Sequence, residues 1–121
     1  MTADPAPPPM NHIILLGDSI FDNARYTLGA PDVLSQVREI LPNDWKASLL
    51  AIDGSATQDI PSQLNSIPHD ASHLVLSVGG NDAIMNSDIL RTPAKSTSDA
   101  LDALAATSAR FEESYRKAVH A

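Results

Sequence analysis

The sequence predicts an α/β fold with three layers, in which helices cover both faces of a parallel sheet. Three short apolar runs support this prediction, at residues 12–17, 45–53 and 73–78. Each run is continuous rather than alternating, which is typical of strands buried on both faces. A segment with helical periodicity follows each run, and this alternation implies right-handed crossovers between parallel strands.

The three predicted helices have clear boundary signals. Pro31 and Pro42 enclose the first helix, because proline suits the start of a helix and cannot continue one. The second, weaker helix has Pro61 in its first turn and ends at Pro68, and the third begins at about Ser98. The apolar face of the first helix consists of Val33, Leu34, Val37, Ile40 and Leu41, and that of the third of Leu101, Leu104, Phe111 and Tyr115.

Composition limits the classes of function. The 121 residues suffice for one domain, which we place at residues 11–121 after a disordered proline-rich leader at residues 1–10. The net charge of −7 disfavours nucleic acid and anionic lipid as partners. The absence of cysteine excludes disulfides, thiolate metal sites and a cysteine nucleophile. Because the sequence has no signal-like segment and no membrane-spanning apolar run, we expect a cytoplasmic protein.

Polar segments that contain glycine follow all three predicted strands. We name them the first block (residues 17–23), the second block (residues 53–57) and the third block (residues 79–82). Ligands of open parallel sheets bind outside the carboxyl ends of the strands. The three blocks are therefore expected to meet at one edge of the sheet and to form the functional site.

Ser19, Gly54 and Asn81 in these blocks have the properties that acyl transfer requires. A serine on a tight turn after a strand can present its hydroxyl as a nucleophile. Glycine allows backbone and substrate to approach closely, and asparagine offers an uncharged NH₂ donor to the oxyanion of the transition state. Each residue alone has an ordinary explanation as a cap or turn residue. The combination of the three points to catalysis.

The three blocks resemble those of the GDSL/SGNH hydrolase superfamily. GDSI at residues 17–20 is similar to the GDSL block, Gly54 in DGSAT to the glycine of the second block, and GGND at residues 79–82 to GxND. The resemblance implies a flavodoxin-like sheet and a serine esterase that acts without metal or cofactor. Its substrates would be carboxylic esters, thioesters or acetylated sugars, with Ser19 as nucleophile and Gly54 and Asn81 as oxyanion donors.

One part of the superfamily pattern is missing after the third block. The superfamily has a fourth block, DxxH, near the end of a longer chain, and it supplies the general base and the residue that orients it. No such block follows residue 82, and His120 suits the end of a solvated helix better than a catalytic role. We therefore expect a truncated domain that is inactive alone and that aggregates or self-associates through uncovered apolar surface.

Two other functions remain open from the sequence. A non-catalytic module could use the same cleft to bind a carbohydrate or acyl ligand, which the missing base favours. A phosphate-handling fold with magnesium at the strand ends is the other alternative, and its ligands would be Asp18, Asp22, Asp53 and Asp82. The sequence has no phosphate loop of the GxxxxGK[ST] type, so these carboxylates are expected to cap helices and hold turns instead.

Overall fold

A computed structural model describes residues 10–121 of the protein, and the predicted leader lies outside these residues apart from Met10. The fold is α/β, as the sequence predicts. Three parallel strands, β1 (Asn11–Gly17), β2 (Trp45–Leu49) and β3 (His73–Ser77), form one sheet in the order β2-β1-β3. The flavodoxin-like arrangement begins with this strand order.

Within residues 10–121, four α-helices and three short 3₁₀ helices connect or follow the strands. The α-helices are α1 (Val33–Ile40), α2 (Ile60–Leu64), α3 (Gly80–Met85) and α4 (Thr97–Val119). The 3₁₀ helices are Ala24–Tyr26, Thr57–Asp59 and Ser87–Arg91. Within the part of the chain that the structure describes, no helix combines the length and the apolar character that crossing a membrane requires.

The direction of the crossovers explains the layers. The connection through α1 steps from β1 to β2, and the connection through α2 steps back across β1 to β3. Right-handed crossovers in opposite directions place α1 and α2 on opposite faces of the sheet. The direction changes between β1 and β3, and this switch point is where a ligand crevice forms at the carboxyl end of the strands.

The core centres on β1, the middle strand of the sheet. Ile14, Leu15 and Leu16 are at most 3% exposed. Successive side chains of a strand point to opposite faces, so these three residues fill both sides of the sheet. This explains why β1 has a continuous apolar sequence.

Local capping agrees with the predicted boundaries of α1 and α4, whereas α2 ends at Leu64, before the predicted end at Pro68. The Asp32 side chain accepts the N–H of Ser35 at the start of α1, and Leu41 is extended before Pro42, as the residue before a proline prefers. The Ser96 side chain accepts the N–H of Asp99 at the start of α4. The helix therefore begins at Thr97, one residue before the predicted start at about Ser98.

The structure corrects the predicted end of the second strand. The prediction extended it to Asp53, whereas β2 ends at Leu49. Beyond this point the N–H groups of Leu50 and Ala51 both donate to the carbonyl of Leu15, each at 2.9 Å. When two successive N–H groups donate to one carbonyl, the regular hydrogen-bond pattern between the strands is interrupted. The chain therefore leaves the strand before it reaches the second block.

The structure also corrects the predicted apolar faces. Ile40 of α1 is 81% exposed. Leu74 and Val75 of β3 are 54% and 41% exposed, and among residues 10–121 β3 has a neighbouring strand on one side only. The face of α4 remains at least one-third exposed at Leu101, Leu104, Phe111 and Tyr115. Strand β3 is therefore not buried on both faces.

Gly17 ends β1 directly opposite Ser77 of β3. Its φ is +126°, and a Cβ at this position would lie 1.8 Å from the carbonyl oxygen of Ser77. Van der Waals contact needs roughly twice that separation. Only glycine fits this position without moving one of the two strands.

We predict that Gly17→Ala lowers the free energy of unfolding by about 2–6 kcal/mol, the sum of backbone strain and overpacking. Gly29→Ala is the matched control, because Gly29 also has a positive φ of +89° but no atom within 4 Å of its Cβ position. It should lose only the strain contribution of about 1–3 kcal/mol. Urea unfolding measures both, and equal losses in the two variants would contradict the close approach at Gly17.

Candidate functional site

The three blocks meet at the carboxyl edge of the sheet, as predicted. The first follows β1 and the third follows β3, so they flank the switch point between these two neighbouring strands. The second block follows the irregular segment after β2. Hydrogen bonds link the three blocks to one another.

Asp18 organises the turn of the first block. Its N–H donates to the Ser77 carbonyl at 3.1 Å, and its carboxylate accepts the N–H of Ile20 at 3.0 Å. Its carbonyl accepts the N–H groups of Phe21 and Asp22. Asp18 is 4% exposed, whereas Ser19 is half-buried. Asp18 therefore holds the turn, and Ser19 sits within it on the accessible side.

Gly54 forms the turn of the second block. Its φ is +89°, and a Cβ there would meet no atom within 4 Å, so the backbone conformation and not crowding favours glycine. The preceding Asp53 donates its N–H to the Asp22 carboxylate at 2.8 Å. This bond ties the second block to the first.

The third block is tied to the second by two adjacent side chains. The Asn81 amide donates to the Ser55 carbonyl at 2.8 Å. The buried Asp82 carboxylate accepts the N–H of Thr57 at 3.0 Å and its hydroxyl at 2.6 Å. Both residues lie in the first turn of α3, a helix that the sequence analysis did not predict.

The four aspartates that the sequence offers as magnesium ligands all accept hydrogen bonds from neighbouring protein groups. Asp18 accepts from Ile20, Asp22 from Asp53, and Asp82 from Thr57. The remaining carboxylate, that of Asp53, accepts the hydroxyl of Tyr26 at 2.6 Å. This hydrogen bond raises the pKa of Tyr26 above its ordinary value, because ionisation would remove the donated proton and add a second negative charge.

Gln63 is a positioning residue that sequence reasoning missed. It is 5% exposed, and its carbonyl oxygen accepts the N–H of Gly17 at 2.8 Å. Its NH₂ group donates to the Gly17 carbonyl at 2.8 Å and to the Ser55 hydroxyl at 3.1 Å. The sequence contained one signal of its burial: Gln63 lies three residues after Ile60 and next to Leu64, on the predicted apolar face of the second helix.

The histidines lie at the other end of the sheet from Ser19. His12 is the second residue of β1, and the five residue steps from His12 to Gly17 place it roughly 16 Å from the first block at about 3.3 Å per residue. His69 and His73 precede or begin β3. His120 follows α4, whose last residues line a cavity together with Leu74 near the start of β3. None of them is placed to act as a base on Ser19.

Residues 70–73, DASH, have the DxxH spacing, which the sequence analysis overlooked. This segment lies before β3 instead of after the third block. Asp70 bonds His12 and Lys46 rather than His73, and the His73 ring bonds Ser72 at 2.8 Å. The segment therefore does not supply the missing base at the carboxyl edge.

A cavity of about 290 Å³ borders the third block on the side of α4. Gly79 and Asp82 line it together with Phe111 of α4. A Cβ at Gly79 would lie 3.1 Å from the Phe111 ring, so this glycine allows α4 to approach the block. The cavity is not formed by Ser19.

We predict that Gln63→Leu lowers the free energy of unfolding by about 1–3 kcal/mol, because the buried Gly17 N–H loses its partner, whereas the Gly17 carbonyl keeps the N–H of Ile52. Gln58→Leu is the control, since Gln58 is exposed on the neighbouring 3₁₀ helix. Chemical denaturation measures the difference. If the two variants unfold at the same midpoint, Gln63 does not hold the blocks together.

The ion pair of Asp70 makes the stability of the fold depend on pH. Its bonds to Lys46 and His12 lower its pKa from 3.8 to about 2. A lowered pKa stabilises the fold above the unfolded value, and this contribution is lost as the pH falls from about 4 through about 2. Asp70→Asn should therefore reduce the loss of folding stability between about pH 4 and about pH 2. The control is Asp44→Asn, since Asp44 is exposed, and it should leave this loss unchanged. Urea midpoints across this range test the prediction, and parallel profiles would refute it.

Comparison with solved structures identifies the fold. No protein-family model and no curated protein matches the sequence. The structure is similar to that of AlinE4, described as an SGNH-hydrolase family esterase, and to that of its single-residue variant. For both, the TM-score is 0.50 and the identity 20%, and the match covers 89% of this chain.

The chain spans 56% of the length of these two solved chains. At this level of identity the comparison concerns the fold. Over the part that it spans, the chain has the fold of the SGNH hydrolases.

Proposed function

We propose that this chain carries the nucleophile and the oxyanion donors of an ester hydrolase, with Ser19 as the nucleophile. The observation that carries the proposal is the hydrogen bond from the Asn81 amide to the Ser55 carbonyl. It holds an uncharged side-chain donor beside the Gly54 turn, at the sheet edge where the Ser19 turn also lies. The SGNH-hydrolase fold supports a general esterase chemistry.

The donors suit a developing oxyanion. The Asn81 amide has two hydrogens, and Ser55 accepts one, so the other is available to a substrate oxygen. The turn of the first block uses the N–H groups of Ile20, Phe21 and Asp22, which leaves that of Ser19 outside these bonds. Gly54 contributes its N–H from an exposed turn. These three donors would stabilise the tetrahedral intermediate.

The proposed reaction has two steps. The Ser19 oxygen attacks the carbonyl carbon of an ester, and its proton goes to a general base. The base passes this proton to the leaving group as the C–O bond to an alcohol, or the C–S bond to a thiol, breaks. Water then hydrolyses the acyl-enzyme and returns the proton to Ser19. Carboxylic esters, thioesters and acetylated sugars all fit this scheme, and the scheme uses no cofactor.

The general base is proposed to be a histidine outside this sequence. The four histidines of this chain lie toward the amino end of the sheet, and a serine hydroxyl without a base is a weak nucleophile near neutral pH. The chain alone is therefore expected to turn over esters poorly. The same observation favours a second candidate, a module that binds a carbohydrate or acyl ligand at the carboxyl edge without catalysis.

We predict that the full-length gene product hydrolyses p-nitrophenyl acetate and that Ser19→Ala abolishes this activity. Asn81→Ala should lower kcat by about 10²–10³-fold, the effect of losing one oxyanion donor. The matched control is Asn43→Ala, since Asn43 is exposed in a turn before β2 and its loss should leave kcat unchanged. Initial rates with folded variants provide the measurement.

The outcomes separate the two candidate functions. Hydrolysis that depends on Ser19 and Asn81 supports the esterase. Full activity in Ser19→Ala would refute the assignment of the nucleophile. Binding of an acetylated sugar by a protein without Ser19-dependent hydrolysis would favour the binding module.

A further inference from the structure

A second serine, Ser48, is the first member of a Ser-His-Asp chain of hydrogen bonds that runs from the middle of the sheet toward its amino end. Its hydroxyl lies 2.7 Å from Nε2 of His12, and Nδ1 of His12 lies 2.8 Å from the Asp70 carboxylate. The three residues come from β2, β1 and the segment before β3. The parallel register that pairs Ile14 with Ser48 brings them together.

The identity of the partners fixes the direction of the hydrogen bonds. A carboxylate only accepts, so Nδ1 of His12 donates to Asp70 and carries the proton. Nε2 of the neutral ring is then an acceptor for the Ser48 hydroxyl. This arrangement of nucleophile, base and orienting carboxylate is the one that activates serine in hydrolases.

The imidazole is held in place from several directions. His12 is 3% exposed. Its N–H donates to the Ser72 hydroxyl at 2.7 Å, and its carbonyl accepts the Ser72 N–H at 3.0 Å. The ion pair with Lys46 and the bond to His12 keep the pKa of Asp70 near 2. Asp70 is therefore ionised at neutral pH and can only accept the proton that Nδ1 of His12 donates.

The nucleophile is accessible to a reagent. Ser48 is half-buried and lies on β2, an edge strand of the described sheet. The side chains of Asp70 and Lys46 are 50% and 44% exposed, so the hydrogen-bond chain opens to solvent at its acidic end. The base itself remains shielded from competing water.

We propose that Ser48 is a second, base-assisted nucleophile and a covalent modification site for activated acyl and phosphoryl esters. In the reaction, the Ser48 oxygen bonds to the phosphorus or carbonyl carbon, and its proton moves to Nε2 of His12. The bond to the leaving group breaks, and the leaving group departs as an alkoxide or phenolate. This site is independent of Ser19, which lies at the other end of β1.

The rate of modification of Ser48 can be compared with that of an ordinary serine. General-base assistance accounts for about 10²–10⁴-fold in rate. An assisted Ser48 should therefore react about 10²-fold faster than an ordinary surface serine with a reagent whose leaving group departs without help. Activated esters such as diethyl p-nitrophenyl phosphate meet this condition.

The test treats the 121-residue chain with diethyl p-nitrophenyl phosphate and locates adducts by peptide mass spectrometry. The Ser19→Ala variant isolates the new site, and the exposed Ser66 is the internal reference for an unassisted serine. We expect an adduct on Ser48 that forms about 10²-fold faster than any on Ser66 and that is absent in Ser19→Ala/Ser48→Ala.

Two further variants test the role of the base. His12→Gln should slow modification of Ser48 by about 10²-fold. If this variant does not fold, Asp70→Asn, at a half-exposed position, serves in its place and should also slow the reaction. Modification of Ser48 at the rate of Ser66 in folded Ser19→Ala protein would overturn the proposal and make the hydrogen-bond chain purely structural.

Discussion

The contact between Gly17 and the carbonyl of Ser77 determines how closely β1 and β3 approach at the switch point of the sheet. A Cβ at Gly17 would overlap this oxygen at 1.8 Å, so a larger residue would separate the strands. The Asp18 N–H donates to the same oxygen and thereby begins the turn that carries Ser19. Packing of the strands and placement of the proposed nucleophile thus depend on one residue.

Buried hydrogen bonds then fix the other blocks to this turn. Gln63 bonds both backbone groups of Gly17 and also the Ser55 hydroxyl, while Asp82 holds Thr57. Unpaired buried polar groups are costly, so the bonds that Gln63 accepts from the Gly17 N–H and Asp82 accepts from Thr57 are stabilising mainly because their loss would leave buried donors unsatisfied. These bonds position the second and third blocks without using the second hydrogen of the Asn81 amide, which remains available for a ligand.

Much of the architecture could be predicted because it depends on local signals. The continuous apolar run of β1 and the prolines around α1 identified these elements, and the blocks after the strands identified the sheet edge. The end of β2 could not be predicted, because it depends on two N–H groups that share the Leu15 carbonyl. Gln63 and the His12 network were also missed, since residues distant in sequence create them. The roles of Ser19, Gly54 and Asn81 remain proposals.

A crystal structure of the full-length gene product after reaction with a phosphonate ester would show directly whether Ser19 is the nucleophile. We expect a covalent bond to the Ser19 oxygen. We also expect a phosphonyl oxygen at about 2.7–3.1 Å from the Asn81 amide nitrogen and the Gly54 backbone nitrogen. An unmodified Ser19, or an adduct whose oxygen points away from both donors, would contradict this assignment.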